Sequence, residues 1–343
     1  MGKYCPEERK LIKKIIKIIG SLSLCAVIAS SELPVHAAAG AGAGTVFPVR
    51  FNDYSTTAVS AQLTEINGNY FIADTYHDRI LYVNPRDLGG NLMSCKVMAD
   101  DFNKPHSICS DGKVFLVTDT DNNRVATYIW YGTGEFVEIQ SFENVGVRPH
   151  YCVYDKATSR FYVWSSYTGE MYIYGRSPRD LKLTFIDVKK VAGLAGVYTR
   201  AFTIDGNDII LASQGAGGII VVDKNTFKIK ASYVVPDEIG GIVQVARIGS
   251  HYYLTTSADR SGNQNNAMTV RSSTLAGFMS PATYEDVTAS FGGIKGVLVP
   301  YYITESNGRY YVRMTALGAG LDDKGVVVTE DPAGNLMVTE HIP

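Results

Sequence analysis

The chain has 343 residues, 45% of them hydrophobic and 11% aromatic, with a formal net charge of −2. That length and apolar share suffice for a large core, and a near-neutral balance with no basic block argues against nucleic acid or an anionic membrane as partner. Twenty-two tyrosines, many of them in short apolar runs, favour sheet over helix.

In chain order, the first predicted element is a leader. Met1–Lys17 carries six Lys and Arg against two Glu, Ile18–Ser31 is apolar and small, and Val35-His36-Ala37 has small residues where a signal peptidase reads them. This pattern describes a secretory signal over residues 1–37 with cleavage near Ala37. The apolar run is shorter than the roughly 20 residues of a spanning helix, so no integral membrane span is expected in the mature form. Export removes six basic and three acidic residues and moves the net charge from −2 to −5. Residues 38–44 (AAGAGAG) read as a flexible spacer. Outside the leader only Cys95, Cys109 and Cys152 remain, an odd count without a CxxC, which suits buried thiols better than a disulfide framework.

From residue 45 to 343 one pattern repeats. ADTYHDRILYV (73–83) and TDTDNNRVATYI (118–129) are near-copies, 45 residues apart from Asp74 to Asp119. The same strand ending returns as RFYVWSS (160–166), DIILASQ (208–214), HYYLTTS (251–257) and RYYVRMT (309–315). Spacings from Asp74 through Asp119, Ser165, Ser213 and Thr256 are 45, 46, 48 and 43 residues. Each unit holds four short strands separated by polar turns, as in HYCVYD, FYVWSS, MYIYGR and LKLTFID of the third. A period of this size with no helical spacing predicts an all-β, six-bladed β-propeller with four antiparallel strands per blade. Thr45–Phe51 is a candidate clasp strand, and Leu336–His341 a candidate last strand of the sixth blade.

The segments ADTYHDRILYV and TDTDNNRVATYI resemble the NHL repeat, whose core is a strand ending in Asp, a polar turn with Asn or His, then Arg and an apolar pair. SSYTGEMYIYG and SQGAGGIIVVD keep the strands but lose the Asp and Arg, and the last two units depart further. The resemblance is to secreted bacterial propellers of the NHL-like and six-bladed superfamily, which implies a binding module, a lactonase or a lyase.

Meander geometry brings the start of every first strand and every turn between second and third strands to one mouth of the channel. The first-strand starts are expected at Ser60, His106, His150, Arg200, Gln244 and Lys295, and the turns add Tyr76, His77, Asn122, Tyr167 and Gln214. Five of the six starts carry a long polar or imidazole side chain. Lys104-Pro105-His106 and Arg148-Pro149-His150 lie 44 residues apart, so both imidazoles reach the same mouth. They read as hydrogen-bonding groups for a ligand, as structural residues, or, with His77, as ligands of a divalent metal such as zinc. By resemblance, some propeller lyases use such His sets. Arg200 and Lys295 favour an anionic ligand. The Asp74/Arg79 and Asp119/Arg124 pairs read as turn-building, and Asp119-x-Asp121-x-Asn123 lacks the Gly and Glu of a calcium loop. The turn Asp259–Asn266 is long enough to overhang the mouth.

No nucleophile elbow, P-loop, HExxH or dinucleotide fingerprint occurs. The expected function is therefore an exported propeller that binds a small polar or anionic ligand, a sugar or peptide fragment, through His106, His150, Arg200, Gln244, Lys295, Tyr76 and His77. The alternatives are a lyase or hydrolase with His106 and His150 as metal ligands or as acid and base, and a platform for a protein partner.

Overall fold

The computed structural model describes residues 59–343 except 90, 133 and 318–320; the leader, the spacer and the Thr45–Phe51 strand lie outside the described residues. Six four-stranded antiparallel sheets follow one another along the chain. Their first strands are Gln62–Ile66, Pro105–Ser110, Pro149–Asp155, Ala201–Asp205, Gly241–Ile248 and Leu298–Ser306. The all-β six-bladed propeller is thus observed. Leu336–Ile342 pairs with Lys324–Glu330 and completes the sixth blade from its own consecutive strands. Among the described residues no helix is long and apolar enough to cross a membrane.

Burial is greatest in the second strands and falls toward the outer edge of each blade, and this gradient explains the composition of the strands. Second strands are covered on both faces by neighbouring blades, so Val114–Asp119 and Ile209–Ser213 are buried throughout and read as unbroken apolar runs with a small polar end. Fourth strands such as Glu135–Phe142 and Ile229–Val234 face solvent and mix polar residues with exposed apolar ones such as Val137, Ile229 and Val234.

Each blade-to-blade junction has its own apolar cluster. Phe71 and Tyr82 of blade one meet Phe115, Tyr128 and Phe136 of blade two, with the Phe71 and Phe115 centroids 5.4 Å apart. Ring closure is made the same way: Leu63 and Tyr70 of blade one pack on Tyr311 and Val327 of blade six. Burying one such aromatic ring contributes about 2–3 kcal/mol, so closure by this cluster replaces solvent contact that an open stack would keep.

Polar side chains stitch the inner edge as well. The innermost strand of a blade has no neighbour on its axial side, and its free N–H and C=O groups need partners. Thr75 Oγ1 donates to the Pro105 carbonyl (2.9 Å) and Thr120 Oγ1 to that of Pro149 (2.8 Å). Trp164 Nε1 donates to Thr199 O (3.1 Å), Thr203 Oγ1 to Val245 O (2.6 Å) and Thr255 Oγ1 to Tyr301 O (2.8 Å). At the closing junction the Asp323 carboxylate accepts the Ser60 N–H (2.6 Å) and Ser60 O–H (2.8 Å).

Candidate functional site

The repeated Asp turn builds the predicted mouth. Asp74 Oδ2 accepts from Arg79 Nε (2.7 Å) and lies 2.9 Å from His77 Nδ1; Asp119 Oδ2 accepts from Arg124 Nε (2.7 Å) and Asn122 Nδ2 (2.8 Å). His77 and Asn122 therefore do the same structural job in adjacent blades. The next residues, Asp78 and Asn123, are left-handed (φ 56° and 53°), and their Oδ1 atoms accept the Lys104 and Arg148 N–H groups at 2.8 Å. Asp and Asn visit that conformation more readily than most residues, and here it aims their side chains at the next blade. Each turn thereby fixes the Pro-His strand start of the blade after it.

These paired strand starts place His106 and His150 in a stack, ring centroids 3.8 Å apart and tilted by 33°. His106 Nδ1 is 2.9 Å from Lys104 O and 3.1 Å from Thr120 Oγ1. His150 is 1% exposed, and neither of its ring nitrogens has a hydrogen-bond partner. Burial, then His106, Arg148, Arg200 and Lys104, hold its pKa well below the ordinary imidazole value. Arg200 Nη1 donates to Ser257 Oγ (2.9 Å) and Tyr301 OH (3.5 Å), and its guanidinium lies 5.4 Å from the Tyr198 ring centroid.

The expected set is thus partly assembled. His106, His150 and Arg200 come together, but they are 7%, 1% and 3% exposed and plug this end of the channel. Tyr76, half-buried, lies at its rim with Lys104 Nζ 5.3 Å from its ring centroid. Lys295 does not join them. It is exposed on a turn ahead of the sixth blade's first strand, and Tyr301 of the same blade reaches Arg200 instead. The reason is a register shift: Pro105 pairs with Asp119 and Ile108 with Val117, while Pro300 pairs with Met314 and Ile303 with Val312. Pro-Tyr-Tyr-Ile is therefore the sixth blade's version of Pro-His-Ser-Ile. The Asp259–Asn266 segment is a turn tied by Asp259, whose carboxylate accepts from Ser261 and Asn266 and is lowered by those bonds to about 2.

Metal ligation finds no support in this arrangement. Among the described residues no group of three or more His, Cys, Asp and Glu is placed to hold an ion. His77 is drawn into the Asp74 turn, and two stacked imidazoles direct their in-plane lone pairs side by side rather than at a common point.

The opposite end of the axis is open. A cavity of about 370 Å³ there is lined by the downstream halves of the first strands of all six blades. Its floor is a polar network. Gln62 Oε1 accepts the Ile108 N–H (2.7 Å) while Nε2 donates to Thr304 Oγ1 (3.3 Å). Gln244 Oε1 accepts the Ile303 N–H (2.7 Å) while Nε2 donates to Tyr151 OH (3.0 Å). Gln244 is the one predicted site residue on this wall, and it clamps blades three, five and six. The rim carries both signs of charge, with Glu65, Asp155 and Glu305 against Lys156 and Arg247. Although burial opposes it, the bond from Lys224 (2.9 Å) helps hold the Asp155 carboxyl below its usual value. Sequence reading missed this end because its residues precede ordinary turns, Asn67-Gly68 and Asp111-Gly112; strand alternation carried four residues past His106 and His150 would have marked it.

No family model matches the chain, and no curated protein is similar to it in sequence. Solved structures share the fold. A candidate 6-phosphogluconolactonase from Bacteroides uniformis is 9% identical, with TM-score 0.55 over 80% of this chain and 82% of that one. One from Bacteroides fragilis is 11% identical, with TM-score 0.55 over 81% and 82%. Hydrazine synthase of Kuenenia stuttgartiensis is 11% identical, with TM-score 0.55 over 89% and 90%. Likeness at this identity is a likeness of propeller architecture.

Proposed function

We propose that the protein is an exported binding propeller that takes a small polar ligand, a sugar or a peptide fragment, in the axial cavity opposite the His106–His150 end. The observation that carries this reading is the cavity itself: about 370 Å³, open to solvent, on the axis, with side chains from six blades converging on it. That volume lies within the range of small-molecule sites, which pair apolar walls with a few fixed polar groups. Ile204 and Val153 supply apolar wall, and the glutamine floor is held rigid by its own hydrogen bonds. A rim with carboxylates and cations suits a ligand rich in hydroxyls or carrying both charges. Export rests on the leader pattern of residues 1–37. Two structural neighbours are candidate lactonases, but the shared fold carries no activity to this chain.

The test is a calorimetric and NMR screen of monosaccharides, oligosaccharides and short peptides. Val153→Trp fills the cavity from a half-buried wall position and should abolish any binding found while circular dichroism stays unchanged. Binding that survives Val153→Trp but disappears with Arg200→Ala would overturn the assignment and move the site to the other end.

A further inference from the structure

The plugged end holds buried polar atoms that the cavity reading does not use. His150 has two unpartnered ring nitrogens, and Tyr302, 0% exposed, has an unpartnered hydroxyl. They come from blades three and six, on opposite sides of the ring, yet share surroundings: Arg200 and Tyr198 act on or touch both. Ser166 Oγ is a fourth buried atom without a partner, and the Ser166 carbonyl accepts the Thr199 N–H beside Tyr198 and Arg200. A buried donor left unmade costs the full desolvation of that group, so several together at one place mark a missing partner rather than chance.

The character of the partner follows from the charges. Lys104, Arg148 and Arg200 all raise the potential at His150, the first two sharing the Asp121 carboxylate at 3.1 and 3.0 Å, and a neutral imidazole still offers one N–H. Tyr302 offers an O–H. One donor beside the Tyr198 ring that Arg200 covers, and one beside the Tyr301 ring whose hydroxyl Arg200 reaches, fit an acceptor with negative charge, and the burial of His106, Arg200 and Tyr301 restricts it to a small one. We propose that the axis holds an internal site for a small inorganic anion of halide size, bound by the His150 N–H and the Tyr302 O–H beside Arg200. The site is independent of the cavity at the other end and ties blades three, four and six through one ion.

Chloride and bromide are the probes. At fixed ionic strength, replacing sodium gluconate by sodium chloride should raise the melting temperature of the chain, since an anion at tenfold excess over its Kd shifts the folding constant about tenfold. Tyr302→Phe and His150→Phe should each remove that response while still unfolding cooperatively. Crystals grown in bromide should show an anomalous peak between the two side chains. An absent peak, or a melting temperature equal in chloride and gluconate, overturns the proposal and leaves water as the partner of these atoms. A chloride response that persists in both variants overturns it too, by placing the ion elsewhere.

Discussion

Gln244→Leu is the most direct test of the polar floor. Gln244 is 2% exposed, and both ends of its amide are engaged: Oε1 with the Ile303 N–H at 2.7 Å, Nε2 with Tyr151 OH at 3.0 Å. Leucine fills similar volume but leaves the inner-edge N–H of Ile303 without an acceptor. A buried donor stranded in this way costs about 1–3 kcal/mol. At about 2 kcal/mol the melting temperature of a domain this large should fall by roughly 3 °C. Tyr151 is also hydrogen-bonded to Thr304, and Thr304 accepts from Gln62, so the two glutamines belong to one network across blades one, three, five and six. Gln62→Leu and the double variant complete a cycle that should be non-additive by at least about 0.5 kcal/mol, as for residues sharing a network. Differential scanning fluorimetry with urea unfolding supplies the numbers. A Gln244→Leu protein as stable as its parent, or a strictly additive cycle, would refute the view that this amide closes the inner edge.

Two further outcomes follow from burial. His150 has a folded pKa below its unfolded value of about 6.5, so the unfolded chain takes up its proton first on acidification. Stability from this group is full above pH 6.5 and declines as pH falls toward the folded pKa, with a slope approaching 1.4 kcal/mol per pH unit, roughly, for one proton. Urea midpoints at pH 8 and pH 5 should show the decline in gluconate buffer, and His150→Phe should flatten it; an equal decline in the variant would assign the effect to other groups. Cys95, Cys109 and Cys152 are all buried and unbridged, and burial pushes the Cys95 thiol up to about 11. They should resist a thiol reagent until the propeller unfolds, and mass spectrometry that finds any of the three labelled quickly in native buffer contradicts the packing.

Much of the fold could be read from the chain because its defining features are local. Strand ends expected at Asp74, Asp119, Ser165 and Ser213 are the observed ones, since an apolar run that stops at a small polar residue marks both burial and the turn. The meeting of His106, His150 and Arg200 was legible for the same reason: position within a repeat fixes position around the axis. The sixth blade was misread at Lys295. Between Ser272 and Leu298 the chain makes 3₁₀ turns at Leu275–Met279 and Thr288–Phe291, which lengthen the interval and break the count. The bulge that brings Tyr301 and Tyr302 opposite Arg313 leaves no mark in composition. The open cavity was equally hidden, because whether a channel is filled depends on side-chain directions at six strands at once.

The fading of the Asp-Thr motif after the second blade is better explained by substitution than by loss. In blades one and two the threonine after Asp74 and Asp119 carries the bond to the next blade. Blade three makes that bond with the Trp164 indole, blade four with Thr203 on its first strand, and blade five with Thr255 on its second. Blade six, which must close the ring, uses a carboxylate: Asp323 takes the Ser60 N–H and O–H, and Arg313 reaches the same Ser60 hydroxyl. What every junction requires is a partner for an inner-edge backbone group, and any donor or acceptor of adequate reach can supply it. A constraint of that kind holds the architecture constant while the residues drift. It accounts for a propeller architecture shared with the three solved structures named above at only 9–11% identity.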